Sequence, residues 1–228
     1  MFLLLLTLGV RILRFGVPWP DVFIPPPSFH CWEPSPARIL SPLEYYWSQR
    51  NFQPPEGTQL ALVLRVIDGD TLDVVPIPAR YGRARDPQAE RVINGCIWAL
   101  AQGLVLGEVL RLRLALVEAP EIWTPGGERA AFLLKSRLRP GDVVAFVGVA
   151  QDKYKRIVAW VWRVRWWGDA GLVNLWEVYQ GMAIPRIYPV RRGTMLEEGL
   201  FLYFCQLAQR YEYLCNALGV IPSPYPWP

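Results

Sequence analysis

Leu60-Ala61-Leu62-Val63-Leu64-Arg65-Val66-Ile67, then Asp68-Gly69-Asp70-Thr71, then Leu72-Asp73-Val74-Val75 reads as two strands joined at a turn. Aliphatic and β-branched runs suit half-buried pleated backbone, and Asp-Gly is among the commonest hairpin turns. Further along, Arg111 to Val117 alternates and predicts a third strand. Val143 to Val149 and Ile157 to Val164 predict two more, flanking the polar loop Asp152 to Arg156. About five such strands suit a small closed barrel.

Helical spacing marks the rest. Gly127 to Leu138 carries Ala130, Ala131, Leu134 and Leu138 and stops at Pro140-Gly141. Asn174 is placed to cap a second helix ending at Gly181, and Thr194 with Glu197 forms a capping box for a third running to Leu218. Between Val75 and Leu110 lies more chain than a hairpin needs. Asp86-Pro87 opens it as a helix, with Ala89, Val92, Ile93, Cys96, Ile97, Leu100, Ala101 and Leu104 on one stripe. At about 3.3 Å per residue the tip of that hairpin lies about 15 Å from Asp70, so the insertion reads as architectural or as a surface for an unknown protein partner.

The predicted class is therefore α+β: a five-stranded OB-fold-like β-barrel with about three α-helices, a helical insertion at about 76–108 in the strand 2–3 hairpin, and a proline-rich N-terminal arm. The barrel domain spans 58–219. Ten of the 22 prolines fall between Pro18 and Pro55, which predicts an extended arm or linker there with no regular helix or central strand, within an N-terminal region 1–57 that also holds the apolar start. Residues 220–228 read as a tail.

At 228 residues and 52% hydrophobic content the chain can bury a sizeable core. A net charge of +4 and a pI near 9.0 favour a polyanionic partner without naming one. The single histidine, His30, lies in the proline-rich stretch, so chemistry built on a histidine base or imidazole ligands is almost excluded. Any hydrolytic base must be a carboxylate. Cys31, Cys96, Cys205 and Cys215 show no C-x-x-C spacing and read as buried thiols rather than a zinc site. Cys205 and Cys215, ten apart on one predicted helix, are separated by about 15 Å of rise, too far for a disulfide. Met1 to Ile12 is apolar but too short to span a bilayer, and it lacks the basic start and small-residue cleavage site of an export leader. The compartment stays open, and no transmembrane span is expected.

Against that frame one ordered set of polar residues carries chemistry. Asp68-Gly69-Asp70-Thr71, Arg113, Glu118-Ala119-Pro120-Glu121 and Asp152-Lys153-Tyr154-Lys155-Arg156 supply the carboxylates and arginines that metal-assisted phosphodiester cleavage requires. Asp70 and Glu118 are hard oxygen ligands suited to Ca²⁺, with a backbone carbonyl near Ala119 and waters to complete the coordination. Arg113 and Arg156 suit bidentate phosphate contacts, and Glu121 remains to hold the attacking water. Taken singly, each fits a plainer role: Arg113 as a partner of Glu118 or Glu121, Arg156 as a solvated charge in a hairpin.

The order resembles the staphylococcal nuclease (thermonuclease-like) family, whose pattern runs Asp-Gly-Asp-Thr, Arg-x-x-x-x-Asp-x-Pro-Glu, Asp-x-Tyr-Gly-Arg and then a closing helical half. The resemblance covers residues 60 to about 218. It implies metal carboxylates at Asp70 and Glu118, phosphate arginines at Arg113 and Arg156, and a base or water-orienting glutamate at Glu121. Asp68 would support the metal ligands from behind and Tyr154 would line the nucleotide site; Lys155, outside the family pattern, either strains its turn or adds a phosphate contact. The activity implied is Ca²⁺-dependent hydrolysis, Mg²⁺ being the other cation to consider, of DNA or RNA with little sequence specificity.

Two positions depart from that pattern. Glu118 stands where the family has aspartate, and its extra methylene moves the ligand oxygen by about an ångström, which bears on metal identity. Lys155 stands where the family has glycine, at a turn position that would call for positive φ. Trp160, Trp162, Trp166 and Trp167 follow the loop. The alternation of Trp160 and Trp162 points one face into a core, while stacking on unpaired bases is the alternative. The rival to an enzyme is a catalytically impaired OB-fold module that binds single-stranded nucleic acid or a protein partner.

Overall fold

The computed structural model describes residues 39–82, 87–104, 107–124, 126–165 and 170–217. The apolar start, His30, Cys31, Asp86, Trp166, Trp167 and the tail lie outside the described residues. Within them the chain is a mixed α+β structure. Eight strands are present: β1 (Gln59–Val66), β2 (Thr71–Arg80), β3 (Leu110–Leu114), β4 (Val117–Glu118), β5 (Val143–Gln151), β6 (Ile157–Val164), β7 (Ala170–Leu172) and β8 (Ile184–Pro185). Five helices accompany them: α1 (Pro42–Asn51), α2 (Pro87–Ala101), α3 (Gly127–Arg137), α4 (Val173–Tyr179) and α5 (Met195–Ala217).

Six strands form one sheet in the order β3-β2-β1-β5-β6-β7, antiparallel between those neighbours, and β3 also pairs in parallel with β6. A second ladder joins β4 to β8. The five expected strands are all present. The expected third strand, however, divides. Chain direction changes at Ala115-Leu116, where Leu116 takes φ 55, an uncommon value for a bulky side chain. The Tyr188 hydroxyl accepts from Leu116 N at 2.8 Å, and Arg186 N donates to Leu116 O at 3.0 Å. Local alternation in the sequence carries no sign of partners seventy residues away.

β2 runs to Arg80 rather than ending at Val75. Pro76 and Pro78 are tolerated because β3 pairs with β2 only from Thr71 to Val74, so the missing N–H groups break no ladder on that side. The insertion therefore begins after Arg80, and its root lies ten residues of strand, about 33 Å, beyond Asp70 instead of about 15 Å. Its helix α2 buries Ile93, Cys96 and Ala99 and half-buries Ala89, Ile97 and Leu100, whereas Val92 and Leu104 of the expected stripe are exposed.

The proline-rich region contains a regular helix, which corrects the reading of an arm without one. Between Pro42 and Pro54 no proline intervenes. Ser41 and Glu44 form a reciprocal capping box, and Pro42 sits in the first turn, where its lack of an N–H costs nothing. α1 packs on the domain: Tyr45 stacks on Tyr179 at 4.1 Å, and Ser48 Oγ donates to the Tyr203 hydroxyl at 2.8 Å. Gln49 Nε2 donates to Leu172 O while its Oε1 accepts from Leu172 N, and Gln53 makes the same pair of contacts with Ala170.

Asn174 does not cap α4. Its side chain is buried one residue into the helix, accepting from Val161 N at 3.0 Å and donating to Ala115 O and Ala159 O. It thus pins α4 to β6 and to the end of β3. Thr194 and Glu197 do form the expected capping box on α5. Trp160 and Trp162 are fully buried, the first packed on Phe204 and the second donating to Phe52 O, so both belong to the core. Among the described residues no helix is long and apolar enough to cross a membrane.

Candidate active site

The β1–β2 turn, the β3–β4 break and the β5–β6 loop bring their polar residues to one place. The register that sets Thr71 opposite Arg113 puts Asp70 within reach of that arginine. Asp68 Oδ1 accepts from Asp70 N at 3.0 Å, a local bond that shapes the turn. Gly69 is required for closeness rather than for an unusual φ. A Cβ there would lie 2.6 Å from Ala130 Cβ and 2.7 Å from Ala119 Cβ, so only glycine lets the turn sit between α3 and the chain after β4. Gly127 meets a similar demand, since a Cβ would collide with the Glu121 backbone.

A continuous hydrogen-bonded chain runs through the site. Asp152 Oδ2 accepts from Arg156 Nε at 2.7 Å, and Arg156 Nη1 donates to Thr71 Oγ1 at 3.1 Å. Thr71 Oγ1 donates to Asp70 Oδ1 at 2.8 Å, and that oxygen also accepts from Arg113 Nη1 at 3.2 Å. Arg113 Nη2 continues to Glu118 Oε2 at 2.8 Å, and Glu118 Oε1 lies 3.7 Å from Arg186 Nη1. Asp70 Oδ2 accepts from Ala119 N at 3.3 Å. Asp70, Glu118, Ala119, Arg113 and Arg156 are therefore gathered as expected, and Arg113 does pair with Glu118, the plainer role also open to it.

Burial dominates the electrostatics. Loss of water pushes Asp70 up to about 7 against the pull of Arg113, and the Asp68 charge adds to the rise. Burial alone would push Arg113 down, but Asp70 and Glu118 outweigh it and hold Arg113 above its ordinary value. Asp152 is raised by burial and lowered more strongly by the Arg156 side chain and backbone, with a net fall.

The remaining expected residues lie at the rim. Glu121 is exposed and makes no side-chain hydrogen bond or ion pair among the described residues; its carbonyl accepts from Thr124 N and Oγ1. Tyr154 is exposed, with Arg156 Cζ 5.3 Å and Lys153 Nζ 5.0 Å from its ring centroid. Lys155 takes φ 63, so the turn does require positive φ and the lysine bears that strain. Two neighbours escaped the sequence reading: Arg186 and Tyr188 follow β8 and carry no motif.

Asp70 and Glu118, bridged by one guanidinium, fit a hard, oxygen-seeking cation in chemistry, with carbonyl and water oxygens supplying the rest. No group of three or more metal-ligating side chains occurs among the described residues. Chemically, the gathered groups offer fixed positive donors of the kind that bind a phosphodiester, and Glu121 three residues after Glu118 is an exposed carboxylate. Compared with family models and with curated proteins, the chain matches none.

Proposed function

We propose that the protein is a nuclease of the staphylococcal nuclease type, hydrolysing phosphodiester bonds of DNA or RNA with Ca²⁺. The single observation that carries this reading is the unbroken chain from Asp152 through Arg156, Thr71, Asp70 and Arg113 to Glu118, drawn from three separate turns. A structural salt bridge needs two residues; this arrangement links two guanidiniums and three carboxylates in one network. The strand pairings support an OB-type barrel beneath it, because β3 meets both β2 and β6 and so links the two ends of the β2-β1-β5-β6 run.

In this reading Asp70 and Glu118 hold the cation, which supplies Lewis-acid stabilisation of the phosphoryl oxygens when bound. Arg113 and Arg156 bind nonbridging oxygens and oppose the charge that develops there. Glu121, with no side-chain partner among the described residues, orients the attacking water and accepts its proton. Asp152 and Thr71 position Arg156. Tyr154, exposed beside Arg156, and Trp123, exposed two residues after Glu121, suit stacking on unpaired bases, which favours single-stranded substrate, and phosphate contacts of this kind carry no sequence information.

The test is incubation of the purified protein with labelled single-stranded DNA and RNA, in Ca²⁺, in Mg²⁺ and in chelator, beside Glu121→Ala. Cleavage that disappears with chelator and with Glu121→Ala is expected. Binding without cleavage in every condition would replace this reading with the impaired OB-fold module.

A further inference from the structure

We propose that Arg186 is a movable counter-ion of the cation site, holding Glu118 while no cation is bound and turning to a substrate phosphate when the cation takes that carboxylate. The inference rests on the reading of Asp70 and Glu118 as a cation site.

The two oxygens of Glu118 are held unequally. Oε2 accepts from Arg113 at 2.8 Å, and Arg113 is also bonded to Asp70 and is only 14% exposed in its side chain, so it cannot leave. Oε1 faces Arg186 at 3.7 Å, beyond hydrogen-bond length, and the Arg186 side chain is 40% exposed. The backbone of Arg186, by contrast, is fixed. The β4–β8 register sets Glu118 against Ile184, and Arg186 N donates to Leu116 O at 3.0 Å. Only the side chain is free to move, from a rooted position beside the ligand carboxylate.

Charge gives the movement its direction. Two carboxylates, Asp70 and Glu118, face two guanidiniums, Arg113 and Arg186, so a divalent cation arriving at Glu118 meets Arg186 as a like charge. The arginine is displaced just as the site becomes attractive to a polyanion, and a long, always-charged side chain at the rim is suited to phosphate. The length of Glu118 belongs to this arrangement, since one carboxylate spans Arg113 on one side and Arg186 on the other.

Calorimetric titration of Ca²⁺ into the wild-type protein, Arg186→Gln and Arg186→Lys, without nucleic acid, tests the first half. Arg186→Gln should bind Ca²⁺ about fivefold more tightly, the size expected for loss of one partly exposed competing charge, and Arg186→Lys should lie between. Anisotropy of a labelled single-stranded oligonucleotide, in a Glu121→Ala background that keeps it intact, tests the second. With Ca²⁺, Arg186→Gln should weaken binding and lower the slope of log K against log salt by about 0.7, the value of one phosphate contact on a single strand; without Ca²⁺ the slope should not change. Unchanged Ca²⁺ affinity in Arg186→Gln, or an equal slope change with and without Ca²⁺, overturns the counter-ion role and leaves the nuclease reading standing. A wild-type protein that takes up no Ca²⁺ overturns both.

Discussion

Asp70 and Glu177 are both carboxylates removed from water, yet the side chain of Asp70 receives three hydrogen bonds while neither oxygen of Glu177 receives one among the described residues. Trp160 Nε1, also buried, is likewise without a hydrogen-bond partner. Burial, followed by the charge of Asp70, drives Glu177 well above its ordinary value, against the pull of Arg137. The first region fixes one geometry by giving both oxygens of Asp70 hydrogen-bond donors, the preorganisation that the proposed function calls for. The second leaves a buried carboxyl to which the rest of the core gives no hydrogen bond. Polar burial by itself therefore says little about function; the partners decide.

Removing the shared cation of the first region should have the largest effect. Arg113→Ala leaves Asp70 buried without its ion pair and Glu118 without its closest donor, and about 3–5 kcal/mol of stability should be lost in urea denaturation. Arg156→Ala touches the same chain at its outer end, where Asp152 is only part-buried. Turnover should fall about 10²–10³-fold with the melting temperature little changed, and unaltered turnover would remove Arg156 from the phosphate site.

The second region should respond in the opposite sense. Glu177→Leu removes a carboxyl that gains no hydrogen bond and should raise stability by about 1–3 kcal/mol at neutral pH. The pH dependence follows from the direction of the shift. With the folded value raised above the ordinary 4.5, stability is fully present below pH 4.5 and is lost as pH rises toward the folded value. Denaturation in chelator across pH 4 to 8 should show that loss, and Glu177→Leu should flatten it. A remainder should persist, because Asp70, raised from 3.8 to about 7, acts with the same sign. The smallest effect is at the rim: Lys155→Gly relieves the positive φ and should gain about 1 kcal/mol, read as a shift in the urea midpoint.

The contrast also marks what could be read from the chain alone. Asp70, Arg113, Glu118 and Arg156 were legible because each lies in a short motif whose strands and turns have local signatures. Lys155 was legible even in its strain. Glu177 and Arg186 were not, since nothing in Leu175-Trp176-Glu177-Val178 or Pro185-Arg186-Ile187 marks burial or proximity to a residue some seventy or more positions earlier. Among the elements, the five strands and α3 follow from periodicity, while the break at Leu116 depends on Tyr188 and the position of Asn174 on Ala115 and Ala159. Helix α1 was missed for a different reason: prolines counted over a long window hid a proline-free stretch with its own capping box.

The paired contacts of Gln49 and Gln53 with β7 have a consequence for the molecule among its own copies. Leu172 and Ala170 each have both backbone polar groups taken by a glutamine amide, so two side chains one helical turn apart imitate a neighbouring strand. A sheet margin occupied in this way leaves no free backbone group at Ala170 or Leu172 for a second chain to pair with, and α1 together with Gln53 just beyond its end covers the edge where strand-by-strand association would begin.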